Sequence, residues 1–243
     1  MIRIAAVGDV HFGPDCRGTL RPHLEHMHGH IDAFLIAGDL TRHGVAEEAA
    51  VLASELDGID IPTAIVLGNH DYHRGEEKAI TDVMQETGAV VLDGESTIVS
   101  TESGRLGVAG VKGFGGGFAG ACGTEFGEDE MKAFISHTKD HAEALRVTLD
   151  DLDTDYKVAL LHYAPVDATL QGERLEIYPF LGSYLLAEAI DDAGADLAIH
   201  GHAHAGLEKG TTPGGVPVRN VAQPLIERAF SIYCLGSDTD PAC

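Results

Sequence analysis

Basic residues are scarce in this 243-residue chain: Lys and Arg number 16 against 39 Asp and Glu, a net charge of -23. Such a field repels polyanions, so broad binding to duplex nucleic acid is disfavoured, and the surplus acid reads as a solvated surface. Cysteine is sparse as well. Cys16, Cys122, Cys234 and Cys243 lie far apart without zinc-type spacing, which indicates neither a disulfide framework nor a thiolate site and fits a reducing compartment. From Met1 the chain runs straight into a strand-like segment without a leader pattern, and no apolar run is long enough to span a bilayer. A cytoplasmic protein without a membrane partner is therefore expected. Neither an internal repeat nor a Pro/Ser-rich linker divides the chain, which predicts one domain over residues 1–243.

What is present is an ordinary globular composition, 44% hydrophobic and 23% charged. Short apolar runs bounded by Gly and polar residues recur at 2–7, 33–37, 63–67, 89–92, 106–111, 158–161, 197–199, 216–221 and 230–235, and they read as buried strands. Helical patterns lie between several of them, at 45–56, 76–87, 128–149 and 181–193, with Gly194 as a stop. Strands alternating with helices predict an α/β layered fold. The runs at 216–221 and 230–235 read as closing strands of a second sheet. Segment 113–127, with Gly115, Gly116 and Gly117, lacks the Gly-Lys-Ser/Thr ending of a phosphate-cradling loop; it reads as a flexible loop or as a flap over an active site.

The chemistry is concentrated at strand ends. Five apolar runs finish within a residue or two in a side chain able to bind metal: Asp9-Val10-His11 after Val7, Asp39 after Gly38, Asn69-His70-Asp71 after Gly68, His162 after Leu161, and His202-Ala203-His204 after Gly201. Ligands gather beyond the carboxyl ends of strands in open α/β sheets, so five separate tips can meet in one crevice. The glycines before them allow sharp turns and close approach. Carboxylate, imidazole and one amide oxygen suit borderline divalent ions such as Mn, Fe, Zn or Co. Seven ligands exceed the needs of one ion with an open position; they suit two divalent metal ions about 3.5–4 Å apart that share a carboxylate. Asp39, on the middle tip, is the natural bridge.

In this order and context, Asp9-Val10-His11, Gly38-Asp39, Gly68-Asn69-His70-Asp71, His162 and Gly201-His202-Ala203-His204 resemble the full signature of the calcineurin-like metallophosphoesterases. The resemblance implies a four-layer αββα sandwich, two mixed β-sheets flanked by helices, with the site at the strand tips. It implies Asp9, His11 and His204 as ligands of a first ion, Asn69, His162 and His202 as ligands of a second, and Asp39 between them. It further implies His70 as the catalytic histidine and Asp71 as the carboxylate that orients it. Two dications bind phosphoryl oxygens and lower the pKa of a bridging water to yield hydroxide, while His70 protonates the departing alkoxide.

The remaining histidines have plainer readings. His200 is expected to be hydrogen-bonded and structural, His23, His26, His28 and His30 form a solvated cluster, and His43 and His73 lie near the pocket rim. Substrate choice falls to the loops at 112–127 and 163–180, where Lys112, Arg174 and Tyr178 are the candidate contacts for phosphate or base. The expected activity is that of a phosphodiesterase or broad phosphoesterase on a small intracellular ester, cyclic nucleotides included. A phosphomonoesterase or phosphoprotein phosphatase shares the same core, and a catalytically silent metal-site scaffold for protein partners is the reading of another class. Oligomeric state stays open, a homodimer among the options.

Overall fold

The computed structural model describes residues 1–236, which leaves Cys243 outside the described residues. In chain order the elements are β1 (Ile2–Val7), α1 (Arg21–Met27), β2 (Ala33–Ala37), α2 (Ala46–Leu56), β3 (Thr63–Val66), α3 (Glu77–Gln85), β4 (Val90–Val91), β5 (Glu95–Thr101), β6 (Gly104–Val111), β7 (Gly117–Phe118), β8 (Ala121–Cys122), α4 (Asp129–Asp150), β9 (Tyr156–Leu161), α5 (Tyr178–Leu181), α6 (Tyr184–Asp192), β10 (Leu197–His200), β11 (Lys209–Thr211), β12 (Pro217–Asn220), α7 (Gln223–Ile226) and β13 (Ser231–Leu235). One sheet has the order β13-β1-β2-β3-β4 and the other β11-β12-β10-β9-β6-β5.

The layering follows from strand alternation. Successive side chains of a strand point to opposite faces, and both faces of these strands are covered, so the runs are apolar throughout. In β1, Ile2, Ile4 and Ala6 face the second sheet and pack with Leu35, Val66, Val108, Leu160 and Ile199. Ala5 and Val7 face the other way, where Leu24 of α1, Leu52 of α2 and Ile80 of α3 cover the sheet. On the far side, Ala109, Ala159 and Ala198 of the second sheet pack under Leu145 and Leu149 of α4 and Leu186 and Ile190 of α6. Helices, sheet, sheet, helices: the mixed αββα sandwich implied by the motifs is the fold observed.

Three expectations change. The segment at 230–235 does not close the second sheet; β13 returns to the first and pairs antiparallel with β1, from Ile2 against Leu235 to Ala6 against Ser231. Its neighbour β12 does join the second sheet, parallel to β10. The glycine-rich segment is not a free loop. It forms the β7–β8 hairpin, pinned by Gly116 N–H to the Pro179 carbonyl at 2.7 Å and by Gly117 N–H to the Gly182 carbonyl at 2.9 Å. Finally, Cys16 and Cys122 are free thiols but Cys234 is disulfide-bonded, against the expectation of none. Strand β5 carried no apolar run because it is an edge strand with alternate residues exposed.

Parallel pairing aligns the strand ends. β1, β2 and β3 run parallel, as do β6, β9, β10 and β12. Their carboxyl ends open on one side of the sandwich, and all five motif segments emerge there.

Candidate metal centre

At these ends two groups of side chains form. Asp9, His11, Asp39 and His204 offer ligand atoms that all lie within 4.8 Å of one another, and Asp39, His162 and His202 do the same. Asp39 belongs to both groups: Oδ2 faces His11 Nε2 at 3.8 Å and Oδ1 faces His162 Nε2 at 3.5 Å. Asn69 joins the second group, its Oδ1 2.9 Å from His162 Nε2.

The backbone bends at the candidate ligands themselves. Asp9, His11, Asp39 and His202 have φ of 54°, 41°, 52° and 69°, four of the five non-glycine residues with left-handed φ among those described. Each such conformation costs about 1–3 kcal/mol and persists where surrounding structure fixes it. Here the tips fix one another through main-chain bonds: Gly8 N–H to Val221, Asp9 N–H to Gly38, and His11 N–H to Asp39. The preceding glycines serve mainly as clearance. A Cβ on Gly38 would lie 2.5 Å from His162 Nδ1, one on Gly68 would run into the Asp39 carboxylate, and one on Gly201 into the Asp9 carboxylate. Each glycine makes room for the ligand of a neighbouring tip.

The donor chemistry fits cations other than protons. His162 is buried, and its Nδ1–H donates to the Ala37 carbonyl at 2.9 Å, which fixes the tautomer and leaves the Nε2 lone pair facing the Asn69 oxygen. Burial pushes its imidazole down to about 3, so two lone-pair atoms face one point in space. His202 is likewise pushed down to about 3 by burial, and His11 is lowered by burial despite the pull of Asp39. Burial drives the Asp9 carboxyl up to about 6, opposed by its bond to His204 and aided by the nearby Asp39 charge. Of the four imidazoles only His204 is raised, by its 2.9 Å contact with Asp9. A carboxyl and three imidazoles that burial holds toward their neutral forms leave lone pairs for a divalent metal, whose ligands bind deprotonated.

His70 stands at the edge of this centre. Its ring lies edge-on to His11 with centroids 4.5 Å apart, its backbone N–H donates to Asp39 Oδ1 at 2.8 Å, and its Nδ1 donates to the Arg42 carbonyl at 3.0 Å. Asp71, expected to orient that ring, does not touch it. The Asp71 carboxylate is fully buried and accepts four bonds, from Leu40 N–H at 3.1 Å, Thr41 N–H at 2.9 Å, Thr41 Oγ1 at 2.7 Å and Gly68 N–H at 2.9 Å. It ties the β2 tip to the β3 tip. The acceptor that holds His70 is a main-chain carbonyl, which has no side-chain signature in sequence.

The other expected residues are placed as follows. Tyr178 donates its hydroxyl to the Leu170 carbonyl at 2.9 Å, and Arg174 is solvent-exposed with Glu176 at 3.7 Å. Lys112 is buried among the rings of Phe114, Tyr72 and Tyr163, 4.9, 5.1 and 5.3 Å from its Nζ. His200 is buried and bonded through both ring nitrogens, to Gly201 O at 2.7 Å and Thr169 Oγ1 at 2.9 Å. His43 pairs with Glu48 at 2.6 Å. Tyr163, not singled out in sequence, backs the His202 ring at 4.5 Å.

An αββα sandwich whose strand tips carry two His/Asp clusters joined through one carboxylate defines the class of metal-dependent phosphoesterases. The profile of calcineurin-like phosphoesterases matches residues 2–206, and the chain belongs to that family of hydrolases acting on phosphate esters. Among curated proteins none matches the chain in sequence. Among solved structures, the phosphopantetheinyl hydrolase PptH of Mycobacterium tuberculosis is similar at 15% identity over 90% of this chain and 88% of its own, with a TM-score of 0.66. The protein TT1561 of Thermus thermophilus is similar at 19% identity over 96% and 93%, with a TM-score of 0.56. At such identities the likeness is one of fold. No helix among the described residues is long and apolar enough to cross a membrane.

Proposed function

We propose that this chain is a dinuclear-metal-dependent phosphodiesterase acting on small esters, with Asp9, His11, Asp39 and His204 holding one ion and Asp39, Asn69, His162 and His202 the other. The observation that carries the reading is the membership of Asp39 in both clusters, its two oxygens turned to different histidines. A pair of divalent ions such as Mn, Fe, Zn or Co, held by these residues, would supply Lewis-acid binding of the phosphoryl oxygens and activation of the attacking water.

The protein's own groups do the rest. Asp9 and Asp39 would supply the carboxylate oxygens for the ions, and the Ala37 carbonyl holds His162 in the tautomer that presents Nε2. His70, with Nδ1 on the Arg42 carbonyl and its ring 4.5 Å from that of His11, keeps Nε2 as the nitrogen to protonate the departing alkoxide. Arg42, whose carbonyl accepts from His70, is already paired with Asp15 at 3.0 Å, and the Arg174 side chain is turned to solvent. That supports the singly charged diester over the more highly charged monoester.

The test compares bis(p-nitrophenyl) phosphate with p-nitrophenyl phosphate on manganese-replete protein, with cyclic nucleotides as further diesters. A higher kcat/KM for the diester is expected. Faster monoester turnover would make the protein a phosphomonoesterase, and absence of turnover on every ester would make it a metal-site scaffold.

A further inference from the structure

The glycine-rich segment packs against the chain between the β9 tip and α6, at residues 178–183, and this strap reaches a candidate ligand. The buried hydroxyl of Thr138 on α4 donates to the Gly115 carbonyl. Gly116 and Gly117 bind the strap at the Pro179 and Gly182 carbonyls. The strap closes on the β9 tip through Ala164 N–H to the Leu181 carbonyl at 3.0 Å and Ser183 N–H to the Ala164 carbonyl at 3.1 Å. Between these anchors lies Phe180, whose carbonyl stands 3.3 Å from Nε2 of His202.

A carbonyl can accept but not donate, so the Nε2 it meets carries the hydrogen and the lone pair of the neutral ring falls on Nδ1. The faces of that ring are set by other contacts, Tyr163 at 4.5 Å and His162 at 4.7 Å between centroids. Stacking fixes the plane of an imidazole without choosing between its nitrogens; the Phe180 carbonyl makes that choice. His162 is held in the same manner by the Ala37 carbonyl, but Ala37 lies in a strand of the sheet, whereas the place of Phe180 depends on the glycines around the strap. A Cβ on Gly115 would lie 2.6 Å from the Pro179 carbonyl oxygen and 3.2 Å from Phe180 Cα, and one on Gly182 would run into the Ala164 carbonyl oxygen. Gly182 has extended backbone that any residue adopts, so what it supplies is clearance.

We propose that the 178–183 strap, seated by the glycine-rich hairpin, is a positioning element for His202: the Phe180 main chain sets which ring nitrogen is free for the second ion, and Gly115 and Gly182 keep that main chain in place by lacking a side chain. The inference rests on the dinuclear reading for the ion, but not for the tautomer. It gives the glycine-rich segment a task that needs neither a phosphate nor a moving flap. Close packing of two loops lets a main-chain carbonyl orient a metal-binding imidazole, as partners of ligand histidines do.

The experiment compares the unaltered protein with Gly115→Ala, Gly182→Ala and, as control, Ala119→Ser at the exposed turn of the same hairpin. Circular dichroism checks the fold of each. Long-range proton–nitrogen spectra of the metal-free proteins, with the His202 signals assigned from their loss in His202→Asn, read the tautomer, and titration calorimetry with manganese reads the ions. Expected is an Nε2–H tautomer for His202 in the unaltered protein and in Ala119→Ser, and a mixture of tautomers in the two glycine variants. Manganese binding should weaken by about 10–100-fold in the glycine variants, the scale for losing the partner of a ligand histidine, and stay at the unaltered value in Ala119→Ser. An Nδ1–H tautomer in the unaltered protein would overturn the assignment before any substitution. A tautomer or a manganese affinity unmoved in both folded glycine variants would also overturn it, as would an equal loss in Ala119→Ser. If the unaltered protein takes up no manganese, the dinuclear reading fails, and the tautomer spectra alone decide whether the strap positions His202.

Discussion

Replacing Asp71 by Asn removes the least compensable group in the site's scaffold. Its Oδ1 takes both the N–H and the hydroxyl of Thr41, and its Oδ2 takes the N–H groups of Leu40 and Gly68. An Asn oxygen can keep one of these pairs, but its NH₂ then faces the other, donor against donor. Two bonds to a charged acceptor at about 1.5–3 kcal/mol each amount to roughly 3–6 kcal/mol gross. The amide is cheaper to bury than the carboxylate, which returns part of this and leaves a net loss of about 2–4 kcal/mol. Urea unfolding followed by circular dichroism reads the loss as a lower midpoint at unchanged m-value. A loss under about 1 kcal/mol would refute the assignment of Asp71 to the scaffold.

His70→Ala should retain metal by elemental analysis and lose turnover on an alkyl diester by about 10²–10⁴-fold, while a nitrophenyl ester, whose leaving group needs less protonation, loses less. Gly38→Ala sets a methyl against the His162 ring and a side chain on backbone with φ of 83° next to Asp39, so titration calorimetry should show metal binding weakened by about 10–100-fold. Chelation should abolish hydrolysis and lower stability, and manganese added at a hundred times its dissociation constant should restore both, with about 2.7 kcal/mol in unfolding free energy. Glu55 on α2 caps α1 from outside, accepting Gly18, Leu20 and Arg21 N–H groups at 2.7, 3.0 and 2.9 Å. Burial pushes its carboxyl up, but these bonds outweigh burial and hold it below its ordinary 4.5. Its stabilisation is therefore full above that pH and is lost as pH falls through the folded value; Glu55→Gln should flatten this part of the stability profile.

Much was legible before any coordinates. Strands β1 and β2 were readable to the residue and α2 and α4 to within one, because double-sided burial makes the strands uniformly apolar while the helices keep their period. The edge strand β5 was not, since half of it faces solvent and its pattern resembles a loop. The five tips that carry the candidate ligands were readable because a donor group's identity is chemical and survives in one dimension. What the sequence by itself determined is thus the set of donors, their order, and the fold class that lets them converge.

The tertiary structure alone decided how they are held. It placed left-handed backbone at Asp9, His11, Asp39 and His202 as well as at Gly38, and gave Gly38, Gly68 and Gly201 the task of clearance between tips. It handed His70 to the Arg42 carbonyl instead of Asp71, returned β13 to the first sheet, and set Lys112 among three rings. Each of these depends on which atoms of distant segments come within a few ångströms. Steric exclusion and hydrogen bonding act over that distance only, so no pattern along the chain encodes them singly.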